Sequence, residues 1–132
     1  MSSETLHEDP SKLQPLTIDV HRAIVSLMEE LEAVDWYNQR VDAATDPELK
    51  GILAHNRDEE KEHAMMVLEW LRRRDGKFAE MIGTYIGSVG PILEVEAKTT
   101  AEEALGAAAA APGDGSLGIG SLKTPRAAGD AT

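Results

Sequence analysis

The sequence contains no cysteine and very few aromatic residues, with one Phe, two Tyr and two Trp among 132 residues. The absence of cysteine excludes disulfides, thiolate zinc sites and cysteine nucleophiles, so any metal site must use histidine and carboxylate side chains. A core with so few aromatic residues is built from Leu, Ile, Val, Met and Ala, which favours helices over a β-sandwich or a barrel. At this length we expect a single domain.

Positive charge and long apolar runs are also scarce. The 13 Lys and Arg residues stand against 24 Asp and Glu residues, which gives a formal net charge of −11 that repels phosphate backbones and anionic membrane surfaces. No segment approaches the roughly 18 apolar residues of a membrane-spanning helix, and the N-terminus lacks the basic and apolar regions of a signal peptide. We therefore expect a soluble cytoplasmic protein that binds neither nucleic acid nor membrane.

Apolar residues that recur every three or four positions predict two long helices. The first helix begins after Pro15 and ends at Thr45–Pro47, where the second begins and runs to Arg72–Arg74. Each is about 28 residues long, or about 40 Å at roughly 1.5 Å per residue, and the short link between them predicts an antiparallel hairpin. A shorter apolar pattern over residues 78–86 predicts a third helix, which ends by Gly90-Pro91.

The two ends of the chain differ from this helical region, which we place at residues 16–91. Residues 1–15 are polar, contain two prolines and show no apolar periodicity, so we interpret them as a flexible leader. Residues 92–132 are dominated by Ala, Gly, Glu and Thr, which is typical of a low-complexity linker and tail. Within SLGIGSLK, Leu117, Ile119 and Leu122 stand out, because a purely solvated linker has no need of spaced aliphatic residues.

Three polar residues occupy positions on the apolar stripes: Glu30 on the first helix, and Glu60 with His63 on the second. Ionised carboxylates on an apolar seam cost several kcal/mol each unless they are paired or bind a metal. Glu30 lies about 15.5 residues before the centre of the turn, and the midpoint of Glu60 and His63 lies about 16 residues after it, so all three should be level in the hairpin. Oxygen and imidazole donors without sulfur suit iron or manganese, and zinc is also compatible.

Helical di-iron carboxylate proteins take a Glu from each of two helices and a Glu-x-x-His motif from each of two others. This chain has half of that set, so a second copy related by a two-fold axis would complete both the four-helix core and the ligand set. Two other interpretations of the residue pattern stay open. One is a di-iron or di-manganese oxygenase or a peroxide-consuming enzyme on the same half-bundle, and the other is a non-enzymatic helical scaffold with polar residues that set its register.

The stretches HRAIVSLMEELEAVDWYNQRVDA and DPELKGILAHNRDEEKEHAMMVLEWLRRRD resemble encapsulated ferritins, half-size ferritin-like proteins housed inside encapsulin nanocompartments. The similarity covers most of residues 16–90 and recurs in the tail at DGSLGIGSLK. It implies an all-α fold, an antiparallel two-helix hairpin plus a short third helix. Two chains dimerise into a ferritin-like four-helix bundle, and such dimers form a ring-shaped decamer. The implied activity is that of a ferroxidase, which oxidises Fe(II) to Fe(III) with dioxygen at a di-iron centre across the dimer interface.

The resemblance also implies roles for individual residues. Glu30, Glu60 and His63 take the positions of the iron ligands, and Glu60 is expected to bridge the irons. Trp36 and Tyr37 match an aromatic pair beside that centre, although ordinary packing is the alternative for both. Outlying positions that attract iron on its way in correspond to Glu29, Glu32, His55, Glu59 and Glu62. A solvated helix face is the alternative for these five residues.

The tail segment SLGIGSLK resembles the peptide by which cargo proteins dock on the inner wall of an encapsulin shell. Its glycines would let Leu117, Ile119 and Leu122 fill small apolar pockets of the shell. The resemblance therefore implies an encapsulin shell protein as partner, a location inside that compartment in the cytoplasm, and a role in iron storage. The chain departs from this pattern in one respect, because TPRAAGDAT follows the peptide. A plain disordered tail is the alternative.

Overall fold

The computed structural model describes residues 5–109, which contain helices and connecting segments but no strand. A short 3-10 helix is followed by four α-helices: Pro10–Lys12, then α1 (Pro15–Ala43), α2 (Pro47–Arg74), α3 (Gly76–Tyr85) and α4 (Ile92–Ala109). The described residues separate into two units, with the boundary between Ile82 and Gly83. The prediction of an all-α fold with a two-helix hairpin and a short third helix is confirmed.

Local signals explain where the hairpin helices begin and end. Pro15 is the first residue of α1, where the missing N–H of proline leaves no hydrogen bond unmade. The Asp46 side chain accepts a hydrogen bond of 2.8 Å from the Leu49 N–H and so caps α2, with Pro47 as the next residue. The three-residue link at 44–46 forces the two helices to run antiparallel.

The hairpin alone encloses very little core. Among the described residues only Ala64 and Leu71 are fully buried, and both lie on the side of α2 that faces α1. Many large apolar side chains are exposed in the single chain; those on α1 and α2 are Leu16, Met28, Leu31, Trp36, Leu49, Ile52, Met65 and Met66. Since burial of apolar surface is the main force that stabilises a fold, one hairpin by itself has low stability as a domain.

The segment between α2 and α4 follows the sequence expectation. Asp75 caps α3, because its Oδ1 accepts hydrogen bonds of 2.9 Å from the N–H groups of Lys77 and Phe78. After α3, Gly87 and Gly90 have φ angles of +79° and +97°, in the left-handed region that favours glycine. These conformations end α3 shortly after Tyr85.

The leader contains more regular structure than its composition predicts. Residues 10–12 form the 3-10 helix, and Asp9 Oδ1 accepts hydrogen bonds from the Ser11 N–H at 2.9 Å and the Ser11 hydroxyl at 2.8 Å. Leu6, Leu13 and His21 line one shallow groove of about 190 Å³, so the leader lies against the first turns of α1. Apolar periodicity does not detect such a segment, because a single capped turn is too short to show a repeat.

The first part of the predicted linker and tail, residues 92–109, forms the helix α4. The Pro91 carbonyl accepts hydrogen bonds from the N–H groups of Glu94 and Val95, at 3.0 and 3.1 Å, and so opens α4. Alanine-rich sequence has high intrinsic helix propensity, and Glu94 and Lys98 have the favourable i, i+4 spacing. The predicted shell-docking residues Leu117, Ile119 and Leu122 lie outside the described residues. No described helix combines the length and the hydropathy needed to cross a membrane.

Candidate metal centre

Three predicted ligands converge on one rim of the α1–α2 hairpin. One donor atom from each of Glu30, Glu60 and His63 lies within 4.8 Å of the other two. His63 Nδ1 lies 3.1 Å from Glu60 Oε2 and 3.8 Å from Glu30 Oε2. Within residues 5–109, no other group of three His, Asp or Glu side chains meets this criterion. We call these three residues the triad.

Helix geometry explains how the chain assembles the triad. Glu60 and His63 are three residues apart on α2, which places both side chains on one face. Glu30 comes from α1, and the short turn brings it level with this pair. The side chains of Glu30, Glu60 and His63 are 27%, 22% and 48% exposed, so the triad lies partly covered by the hairpin and open to solvent on one side.

The charges within the triad are strongly coupled. The Glu30 carboxyl donates a hydrogen bond to Glu60, which, with partial burial, raises the pKa of Glu30. The pKa of Glu60 is lowered, because Glu60 accepts this hydrogen bond and a second from His63. The hydrogen bond with Glu60 raises the pKa of His63, to which the nearby charges of Glu60, Glu30 and Glu59 add. Two carboxyl groups this close titrate as a coupled pair, because ionising both places two negative charges side by side.

The donor set of the triad fits a transition metal ion. Two carboxylate oxygens and one imidazole nitrogen, without sulfur, match the preferences of iron and manganese. A divalent cation would offset the repulsion between the two carboxylates, which bind a metal ion in their deprotonated form. Three ligands on one side of a bound ion would leave its other coordination positions open to water or to ligands of another chain, and would leave room for a second metal ion.

The two aromatic residues of the predicted pair lie on different faces of α1. Tyr37 is seven residues after Glu30 and therefore on the same face, two turns away, where the Arg40 guanidinium lies 5.4 Å from the centre of its ring. Trp36 lies about 120° around the helix from Glu30, at 100° per residue, and its side chain is exposed. The structure therefore brings Tyr37, but not Trp36, to the face that carries the triad.

The five outlying residues do not join the triad in this structure. All of them are exposed: Glu29, Glu32, His55, Glu59 and Glu62. His55 and Glu59 form a pair one turn apart on α2, with 3.0 Å between His55 Nε2 and Glu59 Oε1. Glu32 is two residues after Glu30 and therefore lies on nearly the opposite side of α1.

Sequence reasoning did not single out one polar contact between the two helices. The Arg57 guanidinium donates a hydrogen bond of 3.0 Å from Nη1 to Asn38 Oδ1 across the hairpin. Neither residue belongs to a metal-ligand motif, and an Arg or Asn in a charged helix usually contacts solvent. No feature of the sequence marks this pair, because the contact depends on how the two helices are rotated about their axes.

Comparisons with known proteins identify the family of the chain. The sequence profile of the EncFtn-like family matches residues 5–88. The chain is 64% identical over 126 residues to the encapsulated ferritin-like protein of Rhodospirillum rubrum, over 92% of this chain and 90% of that protein. It is 47% identical over 98 residues to the ferritin-like protein of Thermotoga maritima, over 74% of this chain and 86% of that protein.

A solved structure shares both the fold and much of the sequence. Protein ne0167 from Nitrosomonas europaea, known from its crystal structure, superposes with a TM-score of 0.65 at 57% sequence identity, over 67% of this chain and 98% of that chain. The family resemblance predicted from the residues is thus confirmed. Because the family profile spans more than half of the chain and the relatives match over most of their own length, this chain belongs to the EncFtn-like family of ferritin-like proteins.

Proposed function

We propose that this chain is a ferroxidase, which oxidises Fe(II) to Fe(III) with dioxygen at a di-iron centre completed by a second copy of the chain. The observation that supports this proposal is the triad, with donor atoms of Glu30, Glu60 and His63 within 4.8 Å of one another. Helical di-iron sites use two such half-sets. A two-fold axis beside the triad would bring two Glu residues and two Glu-x-x-His pairs together.

The surface of the hairpin supports the second copy. A groove of about 520 Å³ on the triad side is lined mainly by apolar atoms, with Met66, Val67 and Trp70 from α2 and Ala23 from α1 among its residues. Covering apolar surface stabilises by about 25 cal/mol per Å², and a hairpin with two fully buried residues has much to cover. A copy seated here would shield the groove and supply the missing ligands together, and the ring-shaped decamer belongs to the same proposal.

The residues of the triad have distinct roles in this function. Glu60, whose pKa is lowered by the hydrogen bonds from Glu30 and His63, is the carboxylate that stays ionised and first attracts substrate Fe(II). Glu30, whose pKa is raised by Glu60 and by partial burial, would bind the cation in its deprotonated form. Anionic oxygen ligands favour the higher charge of Fe(III) over Fe(II), so the two carboxylates favour the oxidation. The bound iron supplies the electron transfer to dioxygen.

The acidic surface of the hairpin supports uptake of the substrate. Glu29, Glu32, Glu59 and Glu62 are exposed, and the chain carries a net charge of −11. A field of this sign raises the local concentration of cations and their rate of association. We propose that these residues, with His55, attract Fe(II) toward the centre, and that Tyr37 lies beside the completed centre.

We further propose that the chain is cargo of an encapsulin shell in the cytoplasm, where the Fe(III) product is stored. The relative from Rhodospirillum rubrum is named as encapsulated, and it matches 92% of this chain, so the similarity extends beyond the hairpin. Leu117, Ile119 and Leu122 in SLGIGSLK are the residues that would enter apolar pockets of the shell.

Aerobic oxidation of Fe(II) tests the proposed activity. Ferric absorbance is followed after Fe(II) addition to the wild type and to Glu30→Ala, Glu60→Ala and His63→Ala. Each variant is expected to lose most of the rate, because each loses one ligand. Glu48→Ala and His21→Ala are matched controls outside the triad and should retain the wild-type rate of oxidation. Unchanged rates in all three triad variants would contradict the assignment, and faster turnover of peroxide or an organic substrate than of Fe(II) would favour the alternative enzyme.

A further inference from the structure

We propose that Arg57 is a positioning residue, whose hydrogen bond to Asn38 holds α1 and α2 in the rotation that brings Glu30 to Glu60 and His63. The effect on metal binding rests on the function proposed for the triad. The effect on the arrangement of the two helices does not, and it can be measured without metal.

The Arg57 side chain is held at both ends of its guanidinium group. Nε donates a hydrogen bond of 3.0 Å to Asp58 Oδ1 on the same helix, and Nη1 donates one of 3.0 Å to Asn38 Oδ1 on α1. The Arg57 side chain is only 22% exposed, whereas that of Asp58 is 59% exposed. The aliphatic stem therefore lies in the seam between the helices, and Asp58 orients the planar group so that its far edge reaches Asn38.

The position of this bond complements that of the triad. Asn38 is eight residues after Glu30, which places it about 12 Å along α1 and about 80° around it. Arg57 is three residues before Glu60, about 60° around α2 in the opposite sense. The triad thus occupies one rim of the interhelical seam, and the Arg57–Asn38 bond lies toward the other rim.

Such a bond is needed because other interactions fix the rotation of the helices weakly. The turn at 44–46 joins the helices at one end and sets their axial offset, so contacts along the seam must fix their rotation. Full burial in this seam is limited to Ala64 and Leu71 among the described residues, so packing determines the rotation loosely. On the triad rim, two carboxylates repel each other whenever both are ionised. A charge-assisted hydrogen bond on the other rim opposes the rotation that this repulsion favours.

Anaerobic titration with Fe(II) tests the consequence for the triad. Arg57→Met keeps the aliphatic stem and removes both donors, and we expect Fe(II) affinity to fall about ten-fold, the lower range for loss of groups that orient metal ligands. Asn38→Leu should give a similar loss. Asn38→Asp keeps an acceptor for the same hydrogen bond and should retain the wild-type affinity. Helical content by circular dichroism should stay unchanged in all three.

A charge control separates positioning from electrostatics. Lys61 also contacts Asp58, with 3.2 Å between Nζ and Oδ1, and is adjacent to Glu60 in sequence. Loss of a nearby cation should by itself strengthen Fe(II) binding, so charge alone predicts tighter binding for both Lys61→Met and Arg57→Met. Positioning predicts tighter or unchanged binding for Lys61→Met but weaker binding for Arg57→Met. Equal effects in the two variants, or no loss in Arg57→Met, would overturn the proposal.

A distance measurement without metal tests the proposal separately from the proposed function. Because the chain lacks cysteine, spin labels can be placed at Thr17→Cys on α1 and Arg74→Cys on α2. With labelled chain diluted into unlabelled chain, pulsed electron paramagnetic resonance should give a narrow distance distribution in the wild type and a broader or shifted one in Arg57→Met. Identical distributions would overturn the proposal even if Fe(II) binds. If the wild type binds no Fe(II), the proposed function fails, and these distances still decide the role of Arg57. If Arg57→Met does not fold, the same distances are measured in Asn38→Leu instead.

Discussion

Glu30 and Glu60 come from different helices, yet a carboxyl oxygen of one lies within 4.8 Å of a carboxyl oxygen of the other. The contact raises the pKa of Glu30 and lowers that of Glu60, so the two acids titrate as a coupled pair. A fold that places two acids together in this way is less stable than one that separates them, unless a cation joins them. The arrangement is therefore poor for stability and well suited to binding a metal ion.

Glu30→Gln should make the metal-free protein more stable and prevent iron binding. The amide is neutral and has nearly the same shape, so the repulsion that arises when both carboxylates are ionised disappears. We expect the Tm without metal to rise by a few degrees, as measured by circular dichroism, and Fe(II) to give no stabilisation. Glu48→Gln, in the exposed first turn of α2, is the control and should not raise the Tm. A lower Tm in Glu30→Gln would contradict the prediction.

Glu69, near the end of α2, makes a pH-dependent contribution to the stability of the folded protein. Its carboxylate accepts hydrogen bonds from Arg72 at 2.6 and 2.8 Å and from Arg73 at 2.7 Å. These bonds, first that of Arg72, lower its pKa from 4.5 to about 2. A lowered carboxyl pKa stabilises the folded state above the unfolded value of 4.5, and this contribution is lost as the pH falls toward 2.

The difference in Tm between the wild type and Glu69→Gln should therefore be full at neutral pH and decrease below pH 4.5. It should also shrink in high salt, because Glu69 and both arginines are solvent-accessible. Thermal unfolding followed by circular dichroism across this pH range gives the measurement. A difference that stays constant down to pH 2 would show that the ion pairs are not its cause.

Leu71→Ala should destabilise the hairpin more than any comparable truncation at an exposed position. Leu71 is fully buried in the seam, and loss of a buried leucine side chain costs about 2 to 5 kcal/mol. We expect a value near the lower limit, because a two-helix seam can relax around the cavity. Leu16→Ala is the matched control, since Leu16 is 51% exposed. Urea unfolding at fixed protein concentration compares the two, and equal free energies would contradict the assigned core.

Deletion of residues 113–124 should abolish capture by a co-expressed encapsulin shell protein. The deletion removes Leu117, Ile119 and Leu122 but leaves all residues of the hairpin, so Fe(II) oxidation should be retained. Deletion of residues 125–132 is the control and should preserve co-purification with the shell. Continued co-purification without residues 113–124 would remove the docking proposal and leave the ferroxidase proposal intact.

The hairpin and the meeting of its three polar residues could be predicted because both follow from counting residues. Apolar spacing gives the two helices, Asp46-Pro47 marks the turn, and equal distances from a short turn bring Glu30 level with Glu60 and His63. The family could also be recognised, since its motifs run through these same helices. Local signals suffice when the contact partners are joined by a turn of three residues.

Other features could not be predicted, each for its own physical reason. Composition suggested a linker after residue 91, but six of its eleven alanines lie in 92–109 and favour a helix, whereas five of its six glycines come later. The contact between Arg57 and Asn38 depends on helix rotation and on the path of a long side chain. Neither is encoded in an apolar repeat, which specifies a face of a helix but not the conformation of each side chain upon it.

Within residues 5–109, complete burial is limited to Ala64 and Leu71, and on our proposal of a second copy the concentration of the chain would control its folding. If the folded form is reached largely through association, its stability increases with the concentration of the chain itself. Dilution would then dissociate and unfold the protein at moderate temperature. Newly synthesised chains would stay incompletely folded until they met a second copy. A cell that makes few copies would assemble almost no working centres, so the rate of synthesis would act as a threshold on iron oxidation.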